Sequence, residues 1–176
     1  MLLIEPQCFH DKRGLFFESF HAERYRDCGI ADNFVQDNYS RSRRGVLRGL
    51  HFQIKRPQAQ LVTVVRGRVF DVVVDLRCNS ASFGQWFGVE LNEDGPRQLY
   101  MVPGFAHGFC VLSEFADVHY KVSQLYNGGD EGGVYWADRD IGIRWPVETP
   151  LVSKRDSSYP RLRELSSDQL PGSVNA

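Results

Sequence analysis

Two histidines, each in a glycine-bearing segment, carry most of the chemical potential of this chain. One lies in Arg48-Gly-Leu-His51-Phe-Gln53, the other in Pro103-Gly-Phe-Ala-His107-Gly-Phe109. Neither stands at a metal-ligand spacing from another histidine or a cysteine. Isolated imidazoles with arginines and a carboxylate at hand suit proton transfer or anion binding. A free imidazole titrates near pH 6.5, about where a general base must work. Taken singly, each is more often a satisfied core or turn histidine, so the surroundings must decide.

Three further groups belong with them. Tyr120 alternates with Val118 and Val122, which turns it inward as a core aromatic or as a proton donor to a cavity. In Val69–Leu76, Asp71 and Asp75 share a face with Val69 and Val73, on either a cavity wall or a solvated outer face. Arg13, Arg41, Arg43, Arg44, Arg48, Lys55 and Arg56 crowd the first third of the chain. They suit a solvated face or bidentate binding of phosphate. A metal-binding cupin would show a second histidine where Gln53 stands, then a glutamate, and neither is present. The reading is therefore against a metal.

The elements that must position these groups are strands. Leu15–Phe20, Leu61–Val65, Val69–Leu76, Gln85–Leu91, Arg97–Val102, Phe109–Leu112 and Asp117–Leu125 are short runs rich in Val, Phe, Tyr and Leu, most of them parted by Gly, Asn, Pro or Ser. That spacing predicts a sandwich or barrel. Arg66-Gly67 reads as a tight hairpin turn and Asn92–Pro96 as another turn. Leu47–Gln53 is interrupted at Gly49; simple alternation would place Arg48 and His51 on opposite faces, and a bulge at Gly49 would let both point inward. His107 reads as lying in a turn that enters a strand. Helix is confined to Ala22–Cys28, stopped by Gly29, with one further turn expected at Ser166–Leu170.

The bulk numbers set the frame. A chain of 176 residues with 42% hydrophobic and 24% charged residues fits one soluble domain over residues 1–176, with a polar tail from about 157. Its 21 basic and 22 acidic residues leave a net charge of −1, no footprint for nucleic acid. Cysteines 8, 28, 78 and 110 form no Cys-x-x-Cys pair and read as reduced thiols. The N-terminal residues lack a charged n-region, and no apolar run is long enough to span a membrane. A cytoplasmic protein with no membrane partner is expected.

In order along the chain, Phe9–Gly14, Phe16–Ser19, Phe34–Asn38, Gly45–Gln53, Val69–Val72, Phe83–Trp86, Pro103–Phe109, Tyr120-Lys121, Ile141–Pro146 and Ser153–Asp156 resemble the RmlC family, the dTDP-4-dehydrorhamnose 3,5-epimerases. The resemblance runs from about residue 5 to residue 156. It implies an all-β, cupin-type jelly-roll barrel with short peripheral helices, a homodimer, and neither metal nor organic cofactor. It implies inversion of the carbons flanking the C4 ketone of a dTDP-linked 4-keto-6-deoxy sugar. On that resemblance His51 is the base, Asp156 its carboxylate partner and Tyr120 the acid. Arg13, Glu18, Gln36, Asn38, Arg48, Gln60, His107, Glu131 and Arg155 fall at substrate-binding positions.

The chain departs from the family pattern at three places. Gln60 stands where a lysine poised to stabilise an enolate is usual, Leu125 interrupts a common aromatic pair, and Arg155 replaces a lysine. A neutral amide still donates a hydrogen bond but carries no charge. Epimerisation at C3 or C5 alone, a CDP- or GDP-linked sugar, a related 3,4-ketoisomerase, and a sugar-nucleotide-binding barrel without turnover are the alternatives these departures raise.

Overall fold

A computed structural model describes residues 1–172. Its strands are β1 (Leu2–Ile4), β2 (Cys8–Asp11), β3 (Gly14–Phe17), β4 (Gln36–Arg43), β5 (Val46–Gln53), β6 (Gln60–Arg66) and β7 (Arg68–Asp75), continuing with β8 (Trp86–Asn92), β9 (Gln98–Met101), β10 (Phe105–Val111), β11 (Phe115–Val122), β12 (Glu131–Gly133) and β13 (Leu151–Val152). One helix, α1 (Ala22–Asp27), and four 3-10 turns complete the described elements.

The strands form two large sheets, one in the order β1-β9-β6-β11-β4 and the other in the order β12-β5-β10-β7-β8, with β13 added alongside β5. A separate hairpin pairs β2 with β3. Pairing is antiparallel except for β13 on β5. Facing sheets of this kind make the expected cupin-like jelly roll.

Three apolar clusters hold the arrangement. Between the sheets, Val62, Val64 and Val118 meet Val69, Val73 and Phe109. On the outer face of the β5-β10-β7 sheet, Leu50, Val72, Val74 and Leu76 are covered by Ile141, Trp145, Leu162 and Leu165. That second layer explains why β7 is buried on both faces. Leu162, Leu165 and Leu170, from the segment after residue 157, join this outer core. The third cluster docks α1 through Tyr25 against Ile30, Leu61 and Tyr100. The helix ends as expected: Gly29 (φ +89°) sends its N–H to Arg26 O at 2.9 Å, and the Ile30 N–H reaches Tyr25 O at 2.8 Å, a Schellman closure.

Arg66-Gly67 is not a hairpin turn. β6 pairs with β9 and β11, β7 with β8 and β10, so the link carries the chain from one sheet to the other. Gly67 (φ +75°) is required there, because a Cβ would lie 2.1 Å from Phe115 O. His107 belongs to β10, which begins earlier than the Phe109–Leu112 expectation. The polar strand β4 was not anticipated. Its residues carry little β signal because its inner face forms part of a cavity and its outer face is largely exposed.

Candidate active site

Between the two sheets lies a cavity of about 320 Å³. β4 contributes Gln36, Asn38 and Ser40 to its wall, and β6 and β11 add Gln60 and Tyr120. From the opposite sheet come Arg48, His51 and His107, and the mouth is bounded by Tyr126, Glu131 and Arg155.

Arg48 and His51 face the same cavity because β5 bulges at Gly49. His51 pairs with His107, yet Arg48 pairs with Phe109, so Gly49 and Leu50 of β5 stand opposite Gly108 alone. Gly49 adopts φ +129°, and a Cβ there would lie 2.6 Å from Gly108 Cα and 2.9 Å from His107 O. No side chain fits between those backbones. The glycine thereby sets the register that turns His51 inward.

His51 Nε2 lies 2.9 Å from Asp156 Oδ1, and the Gly49 N–H donates to Asp156 Oδ2 at 3.2 Å. Asp156 is buried, at the start of a 3-10 turn that follows β13. Burial pushes its carboxyl up, but the His51 hydrogen bond and charge, with the Gly49 N–H, outweigh this and hold it at about 2. An ionised Asp156 keeps a proton on Nε2 and leaves the lone pair on Nδ1.

The second imidazole has its own carboxylate. His107 Nε2 lies 3.0 Å from both oxygens of Asp71, which is fully buried. The face shared with Val69 and Val73 is therefore the interior one. Asp75, at the strand end, is buried instead against Arg77, 2.6 Å away, with Ser80 and Ser82.

Tyr120 faces the cavity from the other sheet. Burial raises its pKa most, Arg48 lowers it and Glu131 raises it, so the hydroxyl keeps its proton at neutral pH. Arg48 is steadied by Ser42 Oγ at 2.9 Å. Gln36 donates to Asn38 Oδ1 at 2.8 Å and accepts the Tyr126 N–H at 2.9 Å. Two buried side-chain atoms, Ser40 Oγ and Gln60 Oε1, have no hydrogen-bond partner, and both residues line this cavity. Such atoms are costly to leave dry and unpaired, so they suit a polar ligand.

At the mouth, Glu131 accepts hydrogen bonds from Tyr126 and, at 2.9 Å, from Tyr159, and pairs with Arg155 at 2.9 Å. Gln53 instead closes on the backbone of Asn127 at both ends of its amide. Among the described residues, no group of three or more His, Cys, Asp or Glu side chains is arranged to hold a metal ion.

Of the residues singled out in the sequence, the structure brings His51, Tyr120, Gln36, Asn38, Arg48, Gln60, His107, Glu131 and Arg155 to one cavity, with Asp156 directly behind His51. Arg13 and Glu18 are not brought there. Arg13 pairs with Asp11 on the exposed β2–β3 hairpin and Glu18 with Arg24 at 2.9 Å. Ser40, Tyr126 and Tyr159 escaped notice as site residues. Alternation in β7 already offered Asp71, whereas nothing in the sequence marks Tyr159.

Residues 1–164 match the family model described as dTDP-4-dehydrorhamnose 3,5-epimerase. A protein of that name from Methanothermobacter thermautotrophicus is 46% identical over 166 residues, covering 93% of this chain and 90% of its own. One from Shigella flexneri is 48% identical over 158 residues, covering 89% and 87%. Among solved structures, the Legionella pneumophila dTDP-6-deoxy-D-glucose-3,5-epimerase in complex with dTDP-4-keto-L-rhamnose superimposes with a TM-score of 0.93 at 46% identity, covering 96% of this chain and 91% of that one.

Proposed function

The chain belongs to the dTDP-4-dehydrorhamnose 3,5-epimerase family, and from that premise we propose that it inverts C3 and C5 of a dTDP-linked 4-keto-6-deoxyhexose by proton transfer. The observation that carries this reading is the disposition of His51 and Tyr120 on opposite walls of one cavity, with Asp156 bonded to His51. A hydrogen alpha to a ketone is acidic because the electrons left behind spread onto the carbonyl oxygen. His51 takes that proton, the C–H electrons form the enolate, and Tyr120 returns a proton to the other face of the carbon. Asp156 supports the imidazolium that results, and exchange with solvent resets both groups. The Gln60 amide stands in the cavity to donate to the enolate oxygen.

Arg48 supplies the fork for the diphosphate, with Gln36 and Asn38 on the facing wall of the cavity. Arg13 and Glu18 take part through a homodimer, in which the β2–β3 hairpin of one protomer reaches its partner. The exposure of Phe9 and Phe16 on that hairpin supports such an assembly. The four free cysteines support a reducing, cytoplasmic setting. Among the described residues no helix is long and apolar enough to cross a membrane.

The test is proton NMR in D2O with dTDP-4-keto-6-deoxyglucose. Deuterium entering at both C3 and C5, and lost in His51→Ala, is expected. Exchange at one carbon would make the chain a mono-epimerase, and none at either would refute the reading.

A further inference from the structure

At the mouth of the cavity, Glu131 and Arg155 also bear on the His51–Asp156 pair. Asp156 Oδ1 has two suitors. His51 Nε2 lies 2.9 Å from it, and Arg155 Nε lies 3.5 Å from the same oxygen, at the limit of a hydrogen bond. The Arg155 guanidinium is drawn away to Glu131, whose Oε1 and Oε2 its NH1 meets at 2.9 and 3.0 Å. The Glu131 carboxylate also accepts the Tyr126 and Tyr159 hydroxyls, so three protein side chains occupy it.

Tyr159 ties this hub to the imidazole. Its ring packs edge-on to His51 with centroids 5.7 Å apart, while its hydroxyl is held 2.9 Å from Glu131 Oε1. Room for that ring exists because Gly133, opposite His51 in the β12–β5 register, has no side chain. A Cβ there would lie 2.5 Å from the Tyr159 ring.

We propose that Glu131 is a positioning residue for the His51–Asp156 pair: it holds Arg155 off Asp156 Oδ1 and anchors Tyr159 over His51. Its part is to keep Asp156 available to the imidazole. The catalytic use of that pair rests on the epimerase reading, but the geometry of the hub does not. Glu131→Gln removes the charge that holds Arg155, so the guanidinium closes on Asp156 and competes with His51. Arg155→Gln removes the competitor instead. The two variants therefore move the imidazole in opposite senses, which loss of packing alone would not do. The other charged and titratable groups around His51 are Arg48 on β5, the His107–Asp71 pair from β10 and β7, and Tyr120 from β11. Of these Tyr120 feels the Glu131 charge, which raises its pKa, so Glu131→Gln also lowers that group on the basic side, and the acidic limb is the one that reports His51.

The test reads the downfield proton on the His51 nitrogen bound to Asp156 by NMR of the full chain, together with the pH profile of solvent-deuterium exchange. In Glu131→Gln the proton signal moves upfield, the acidic limb moves to lower pH, and kcat falls by about tenfold or more with little change in KM. In Arg155→Gln the signal and the limb move the opposite way. Glu131→Asp, which keeps the charge, restores most of the unsubstituted behaviour. Signals that stay put or move together in the two variants would overturn the proposal, as would a Glu131→Gln effect confined to KM. The NMR signal needs no turnover, so failure of this inference is distinguishable from failure of the epimerase reading. If Glu131→Gln does not fold, Arg155→Gln alone still decides: an unmoved signal overturns the proposal.

Discussion

Replacing Asp156 by asparagine removes one charge from behind the imidazole and separates its structural from its chemical contribution. The carboxylate is buried and spans His51 and the Gly49 N–H, contacts that outweigh burial and take its pKa from 3.8 to about 2. That depression corresponds to about 2 kcal/mol of folding free energy. Because the folded-state value is the lower, this stability is fully present above about pH 4 and is lost as the pH falls toward 2. Asp156→Asn is therefore less stable by about 2 kcal/mol at pH 6, and the gap narrows below pH 4. Asp117 is also held at about 2, chiefly by Arg41, but it is common to both proteins and cancels in the difference. Urea unfolding of both proteins, from pH 6 down to the lowest pH at which both still fold, measures the gap. Deuterium exchange into substrate should fall by about 10²–10⁴-fold in the same variant while its fold persists. A gap that does not vary with pH, or an exchange rate that survives, would refute the reasoning.

Two other substitutions probe the opposite wall. Tyr120→Phe should slow net inversion by about 10²–10⁴-fold while His51 still takes and returns protons on its own face, so the ratio of deuterium incorporation to epimerised product rises; NMR follows both, and an unchanged ratio removes Tyr120 as the acid. Gln60→Lys offers the enolate a charge-assisted hydrogen bond about twice as strong as a neutral one, so kcat should rise by about tenfold. Steady-state kinetics on the folded variant check this, and an unchanged or lower kcat would mean that the enolate oxygen lies elsewhere.

The alternation of Val, Phe and Leu with polar residues disclosed β6, β7, β8 and β11 nearly in full, because those strands bury one or both faces in apolar clusters. It missed β4, whose inner Gln36, Asn38 and Ser40 serve the cavity. A strand that lines a polar site on one face and meets water on the other has no hydrophobic period to find. The sheet crossing at Arg66-Gly67 was misread as a hairpin because both look alike locally; only long-range pairing tells them apart. Within the site, the break at Gly49 correctly announced a bulge that turns Arg48 and His51 to the same side. The pairing of His51 with Asp156 followed from family resemblance rather than spacing. Tyr159 left no trace in the sequence; Glu131, to which it anchors, was named by family resemblance alone, and their meeting depends on the room left by Gly133.

The distance along the chain between the two halves of the acid–imidazole pair has a consequence for how competence is acquired. His51 and Asp156 are 105 residues apart, and the strands between them pair mostly with partners far along the chain, as β4 does with β11. Loop-closure entropy makes such non-local topologies slow to form. A chain emerging from the N-terminus has all the strands from β4 to β11 before residue 156 is made. The dyad closes only when the segment after β13 folds back onto β5, beside the bulge. Reactivity is thus acquired at the end of assembly, and a partly folded barrel holds its base without the group that makes it useful.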